Sequence, residues 1–437
     1  MAEDKPPLQQ MQTFELKALK NALLVGVYRS GTDKELCEDY LDELQRLCET
    51  YGLKVVGKFP CPIKKLDAAT YLGVGKLEEL KAAAKELEAN VVIFDEEISP
   101  HQQRNLEKIF ICPVIDRTEL IIEVFAQRAQ TKEARLQIEL AKVKYQFPRL
   151  KRMWTHLSRQ TATAGGGAYL KGEGEKQIEI DRRILRRQID RLNEEIEHVA
   201  EQRKTQRGLR ERTGIPTFAI VGYTNAGKST LLKALTQAEV LVEDKLFATL
   251  DTTTRKFVLP NRQEILLIDT VGFIRKIPHT VVAAFKSTLE EAVHTDILLH
   301  LIDISHPMAE SQAEESMLVL KELGAEDHPM ITVLNKVDQC PNPAILTKFR
   351  IKYPKTVAIS ALQGAGVEEL LELMMKEVSL LRKVVKARIP QSHYALVSEL
   401  MREGRVIECD YEENDILIQV EIPARLEYKV QPFLISE

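Results

Sequence analysis

At 437 residues the chain is longer than one hydrophobic core ordinarily organises, so several domains are expected. A hydrophobic fraction of 44% beside 29% charged residues excludes a disordered or fibrous chain. No apolar run reaches the roughly 18 residues that cross a bilayer, and a net charge of −4 does not by itself point to nucleic acid.

The first ten residues, MAEDKPPLQQ, lack the basic-then-apolar order of a signal peptide, which predicts a cytoplasmic protein. Cys37, Cys48, Cys61, Cys112, Cys340 and Cys409 form no C-x-x-C pair, so reduced thiols are expected rather than a zinc site.

Residues 1–132 read as an N-terminal α/β domain. Ala22–Tyr28, Leu53–Phe59, Val91–Asp95 and Ile111–Asp116 are apolar runs of strand length. Helical patterns over about 33–51, 76–89 and 100–109 separate them, so the sheet should be largely parallel. Tyr71-Leu72-Gly73-Val74-Gly75-Lys76 leads into a helix, as a structural turn or as a second anion-binding turn.

Residues 133–212 change pattern. Leu136, Leu140, Val143, Phe147 and Leu150 make one heptad stripe; Ile178, Leu185, Ile189, Leu192, Ile196 and Val199 make another. Two such helices can bury their seams against each other, so an antiparallel helical hairpin is predicted. Between them, residues 151–176 hold five glycines and no apolar period, with Trp154, His156, Arg159 and Tyr169. Across 141–212 Lys and Arg outnumber Asp and Glu by 18 to 10, and Arg182, Arg183, Arg186 and Arg187 cluster. A basic, aromatic-bearing tip suits RNA phosphates and unstacked bases; a solvated helix pair with a plain linker is the alternative.

Residues 213–383 read as a P-loop nucleotide domain. The strand Phe218–Val221 is followed by Gly222-Tyr223-Thr224-Asn225-Ala226-Gly227-Lys228-Ser229, and then by an amphipathic helix. Glycine-bounded backbone amides and a helix N-terminus suit phosphate. Lys228 would reach the β- and γ-phosphates and the Ser229 hydroxyl would ligate Mg²⁺. Within Phe247-Ala248-Thr249-Leu250-Asp251, Thr249 is the expected second metal ligand and γ-phosphate sensor, with Thr253 as the runner-up. The strand Glu264–Ile268 ends in Asp269-Thr270-Val271-Gly272; the acid would act on Mg²⁺ through its water shell and the Gly272 amide would meet the γ-phosphate.

Strands at Ile297–Asp303 and Met330–Leu334 precede Asn335-Lys336-Val337-Asp338. The Asp338 carboxylate can accept from guanine N1–H and its exocyclic amine, whereas adenine would leave it unpaired. Asn335 would support the other edge, Lys336 would pack along the base, and Ser360-Ala361-Leu362 would offer backbone to the guanine oxygen. GTP is therefore expected over ATP. Residues 384–437 suggest a small C-terminal α/β domain, with strands at Val384–Ile389, Val406–Tyr411 and Ile416–Ile422 and a helix at 391–402.

The four nucleotide motifs resemble those of translation-factor-class GTPases. Three further segments, Trp154–Gln160, Gln177–Arg183 and Phe247–Asp251, resemble the HflX family of ribosome-associated GTPases, and with Tyr71–Lys76 the resemblance spans about 20–383. It implies the four-part architecture above, binding to the 50S subunit and its rRNA through the hairpin, and the splitting or recycling of stalled or idle ribosomes. It also implies ATP binding by the N-terminal region. One departure stands out: Gly165–Lys176 lacks the Pro and Thr of the family's glycine-rich loop.

Many GTPases orient the attacking water with a Gln directly after D-x-x-G. Here that residue is Phe273, so intrinsic hydrolysis should be slow, with Lys228, Thr249 and the Gly272 amide as the local catalytic groups and ribosomes as the accelerator. A GTPase acting on another assembly and an RNA-binding ATPase remain the competing readings. The free protein is expected to be a monomer.

Overall fold

The computed structural model describes residues 20–31, 33–150, 170–212, 215–236, 246–247, 253–276, 293–340, 342–412, 414–423 and 426–435. Two compact units emerge: one holds the chain to Glu197 with 244–248 and 276–285, the other holds the remainder.

The first unit is built on four parallel strands, β1 (Asn21–Tyr28), β2 (Lys54–Pro62), β3 (Val91–Phe94) and β4 (Val114–Asp116), in the order β2-β1-β3-β4. Strands β3 and β4 are wholly buried, as expected of a parallel sheet covered on both faces. The crossovers are α1 (Asp33–Tyr51), α2 (Val74–Glu86) and α3 (Pro100–Phe110). Helix α3 starts at a capping box between Ser99 and Gln102, with Pro100 in its first turn. It ends at Ile111 in the left-handed region (φ 59°), so the strand predicted from Ile111 begins only at Val114. A helix that the sequence pattern did not separate, α4 (Arg117–Arg128), follows β4 and is capped by the Asp116 carboxylate.

The helical region consists of α5 (Lys132–Gln146) and the 43-residue α6 (Leu170–Arg212). Leu136, Leu140, Val143 and Leu150 of the first stripe are buried, as are Leu185 and Leu192 of the second. Gln188 Nε2 donates to Glu139 Oε1 at 2.9 Å and the Arg186 guanidinium lies over the Phe147 ring, so the two helices touch. The residues between them, including Trp154 and Arg159, lie outside the described residues, as does the Ile178 side chain.

The base of this region is locked by a buried polar network. Arg149 donates to Gln103 Oε1, the Ile98 carbonyl and Asp116 Oδ2 while stacking on the Tyr145 ring at 3.7 Å. Tyr145 Oη donates to Asp116 Oδ1 at 3.0 Å. Burial pushes the Asp116 carboxyl up, against the opposing pull of Arg149. Beside it, buried Arg117 pairs with Asp95 at 3.0 Å and with Glu43.

The second unit has a six-stranded sheet in the order β10-β9-β8-β5-β7-β6. Its strands are β5 (Thr217–Gly222), β6 (Thr253–Val258), β7 (Glu264–Asp269), β8 (Ile297–Asp303), β9 (Met330–Asn335) and β10 (Thr356–Ala358). Only β6 runs antiparallel to its neighbour. One face packs on α7 (Lys228–Thr236) and α10 (Val367–Leu381), the other on α8 (Ala309–Glu322) and α9 (Ala344–Lys352). A three-stranded antiparallel sheet, β11 (Arg382–Pro390), β13 (Asp415–Pro423) and β12 (Arg405–Tyr411) in that order, buries one face against α11 (Tyr394–Glu403) and α12 (Glu427–Val430). Among the described residues, no helix is long and apolar enough to cross a membrane.

Candidate nucleotide site

The carboxyl ends of β5, β7, β8 and β9 bring the sequence motifs to one edge of the six-stranded sheet, where open α/β sheets bind their ligands. After β5 the chain turns through Asn225 (φ 62°) and Gly227 (φ 95°) into α7. A side chain at Gly227 would be strained there, and its Cβ would stand 2.2 Å from Asn335 Nδ2.

Lys228 is buried in the cradle, and its Nζ donates to the carbonyls of Gly222 and Tyr223 at 3.2 and 2.9 Å. Burial lowers its ammonium to about 8, and the Asp269 carboxylate opposes that shift. Ser229 Oγ donates to Asp269 Oδ2 at 2.8 Å, so hydroxyl and carboxylate converge from α7 and β7. Thr253, on β6 and in register with Asp269, has a buried hydroxyl with no hydrogen-bond partner among the described residues. The buried Thr224 hydroxyl is likewise unsatisfied there. Buried hydroxyls are ordinarily paired, so these two fit a site completed by a polar ligand.

The D-x-x-G segment is zipped to the phosphate loop. Thr224 N–H donates to the Phe273 carbonyl at 2.7 Å and Phe273 N–H to the Gly222 carbonyl at 3.0 Å. Tyr223 Oη accepts from the Arg275 N–H at 2.8 Å, and Thr270 Oγ1 donates to the Ile220 carbonyl at 2.7 Å. Gly272 is held so close that a Cβ would meet Lys228 Nζ at 2.9 Å. Phe273 is 1% exposed and belongs to the core. Val271 is buried in the same way.

At the other end, Asn335 Nδ2 donates to the Ala226 carbonyl at 2.8 Å and its Oδ1 accepts from Ala361 N–H at 3.0 Å. Lys336 sits in the left-handed region (φ 63°) with its Nζ 2.7 Å from Asp303 Oδ2, a partner that the sequence motifs did not single out. Val337 N–H donates to the Ile359 carbonyl, which ties the base-reading turn to the strand before Ser360. Asp338 is exposed, Ser360 and Ala361 are buried, and Leu362 is 77% exposed.

Of the segment expected around Thr249, Phe247 is described, whereas Ala248, Thr249, Leu250 and Asp251 lie outside the described residues. Phe247 belongs to the first unit, where its ring meets Phe125 edge-on at 4.4 Å and is 3% exposed. Leu246 N–H donates to Thr50 Oγ1 beside it. A side chain expected at the nucleotide is therefore used in packing; a large apolar residue in a polar stretch was the available signal. In the helical region, Arg182, Arg183, Arg186 and Arg187 are all exposed on α6.

Comparison with known proteins adds to this geometry. Residues 38–126, 128–210 and 217–336 match the families described as GTP-binding GTPase N-terminal, GTP-binding GTPase Middle Region and 50S ribosome-binding GTPase. The chain is 48% identical to GTPase HflX of Chlamydia pneumoniae over 414 residues, covering 94% of this chain and 88% of that one. It is 40% identical to GTPase HflX of Escherichia coli K12 over 408 residues, covering 92% and 94%. A crystal structure of a GTP-binding protein from Sulfolobus solfataricus with GDP shares 26% identity over 83% of this chain and all of that one, with a TM-score of 0.46.

Proposed function

The chain belongs to the HflX family of GTPases, and from that premise we propose that it binds the 50S ribosomal subunit and splits or recycles stalled ribosomes under control of its nucleotide state. Lys228, Ser229 and Asp269 hold the phosphate end of GTP; Asn335, Lys336 and Asp338 hold the guanine. The Ser229 hydroxyl and, outside the described residues, Thr249 would hold a magnesium ion, with Asp269 behind them. When bound there, the ion would neutralise charge on the β- and γ-phosphates. The Ser229–Asp269 pair and the unsatisfied hydroxyl of Thr253 support that fit.

Hydrolysis in the free protein is slow because Phe273 is buried and apolar where a water-positioning side chain would stand. Ribosome binding supplies the missing order around the attacking water. The observation that carries the ribosomal reading is the exposed row Arg182, Arg183, Arg186 and Arg187 on a long helix, of which Arg186 also lies over the Phe147 ring.

Co-sedimentation with purified 50S subunits in GDP, a non-hydrolysable GTP analogue and ATP tests this reading, followed by light scattering of 70S particles. Analogue-dependent association, loss of 70S scattering and faster GTP turnover are the expected results. Equal association in every nucleotide, or turnover indifferent to subunits, would remove the proposal.

A further inference from the structure

The two edges of the C-terminal sheet differ. The outer edge of β11 is closed by the chain's own end: Ala387 bridges Leu434, and Ile435 N–H donates to the Lys386 carbonyl at 3.0 Å. The outer edge of β12 pairs with no strand among the described residues. Its alternate N–H and C=O groups face outward, which is a template for another strand.

Side chains make this edge two-sided. Val406, Cys409 and Tyr411 are in register with Val420, Ile418 and Ile416, whose side chains form the core. They extend that apolar face outward, with Val406 37% and Tyr411 60% exposed. The Tyr394 hydroxyl lies beside that of Tyr411 and adds to the shelf. On the opposite face Glu408 and Asp410 stand opposite Gln419 and Leu417, and neither has an ion-pair partner among the described residues. Ile407, the extra residue of a bulge, is 53% exposed at the rim.

We propose that the free edge of β12 receives one extended, basic polypeptide segment of a large-subunit protein as a fourth strand. Apolar residues of that segment cover Val406, Tyr411 and Tyr394 on one face, and its Lys or Arg residues meet Glu408 and Asp410 on the other. The assignment rests on the 50S-binding reading above and names the chemistry of one contact within it. RNA is disfavoured because two unpaired carboxylates would face phosphates. A second copy is disfavoured because antiparallel pairing of two β12 edges would set the Glu408 and Asp410 pairs against each other.

The experiment uses the full chain with Ile407→p-benzoylphenylalanine, irradiated on purified 50S subunits, beside co-sedimentation of the unirradiated E408K/D410K chain. A crosslinked product that survives ribonuclease and is lost to protease is expected, with about tenfold weaker association of the double variant. An RNA-borne product, a product between two copies, or no product from a sedimenting chain overturns the edge assignment alone. Undiminished association of E408K/D410K overturns it as well. If the unaltered chain does not sediment with 50S subunits, the ribosomal reading falls and this inference falls with it.

Discussion

The Asn335 carboxamide is bonded to the Ala226 carbonyl at 2.8 Å, so a residue of the base-reading motif supports the phosphate loop directly. Its other end takes the Ala361 N–H, which makes one side chain the joint of three motifs. Removing it breaks two buried hydrogen bonds, each worth on the order of 1–2 kcal/mol when a partner is left unsatisfied. Asn335→Ala should lower unfolding free energy by about 2–4 kcal/mol and weaken GTP and GDP together, since both ends of the site loosen. Urea unfolding and calorimetric titration check this; a loss confined to base discrimination would contradict the joint.

Asp338 is exposed at the base end and should decide which nucleotide binds. Asp338→Asn replaces an acceptor for the guanine amine with a donor, so GTP affinity should fall by about a hundredfold or more. Xanthosine triphosphate, which carries a carbonyl at that position, should regain most of the loss. Competition binding measures both, and unchanged GTP affinity would remove Asp338 from base recognition.

Lys228 sets a pH dependence with a definite sign. Its ammonium is lowered to about 8 in the free fold, while the unfolded chain keeps an ordinary lysine. Stability of the free chain should therefore rise as pH climbs from about 8 towards the unfolded value. A bound triphosphate favours the ammonium, so above about pH 8 binding must take up a proton and affinity falls by up to about tenfold per pH unit. Calorimetry at pH 9 in buffers of different ionisation enthalpy would register the proton; Lys228→Met should abolish it together with most of the affinity.

His300 lies on β8, fully buried, with neither ring nitrogen hydrogen-bonded among the described residues. Burial pushes its imidazolium down to about 4 from an ordinary value of 6.5. The unfolded chain binds the extra proton between those values, so the fold should lose stability as pH falls through that window. The integrated effect is roughly 3 kcal/mol. His300→Leu should flatten the slope of unfolding free energy against pH by about one proton.

Arg149 is the clamp between the N-terminal sheet and the helical region. Arg149→Met strands the buried Asp116 carboxylate and should cost about 3–5 kcal/mol. Arg149→Met with Asp116→Asn should cost less than the two single changes added together, because the stranded charge is gone. Urea denaturation of the four chains gives that comparison, and strict additivity would deny the coupling.

Much of the fold was legible where elementary periodicity applies. The strands Ala22–Tyr28 and Phe218–Val221 are short apolar runs, and the sheet buries both of their faces, leaving little ambiguity. Ile111 misled because an apolar β-branched residue reads as strand, yet it occupies a left-handed helix cap. The separate helix Arg117–Arg128 was missed because its cap, Asp116, also ends an apolar strand. The nucleotide motifs were readable because phosphate cradling and guanine selection demand particular residue types at fixed spacing.

By itself the sequence determined that phosphate and guanine motifs follow one another in order, since glycine spacing and donor–acceptor chemistry are local properties. It also determined the alternation of strands and helices, through side-chain period. Only the tertiary structure decided that Asn335 braces Ala226, that Lys336 pairs with Asp303, that the Phe247 ring packs on Phe125, and that the outer edge of β12 meets no strand among the described residues while that of β11 is closed. Those relations join residues distant along the chain, and nothing in local spacing encodes which distant partner fills a given hole or edge.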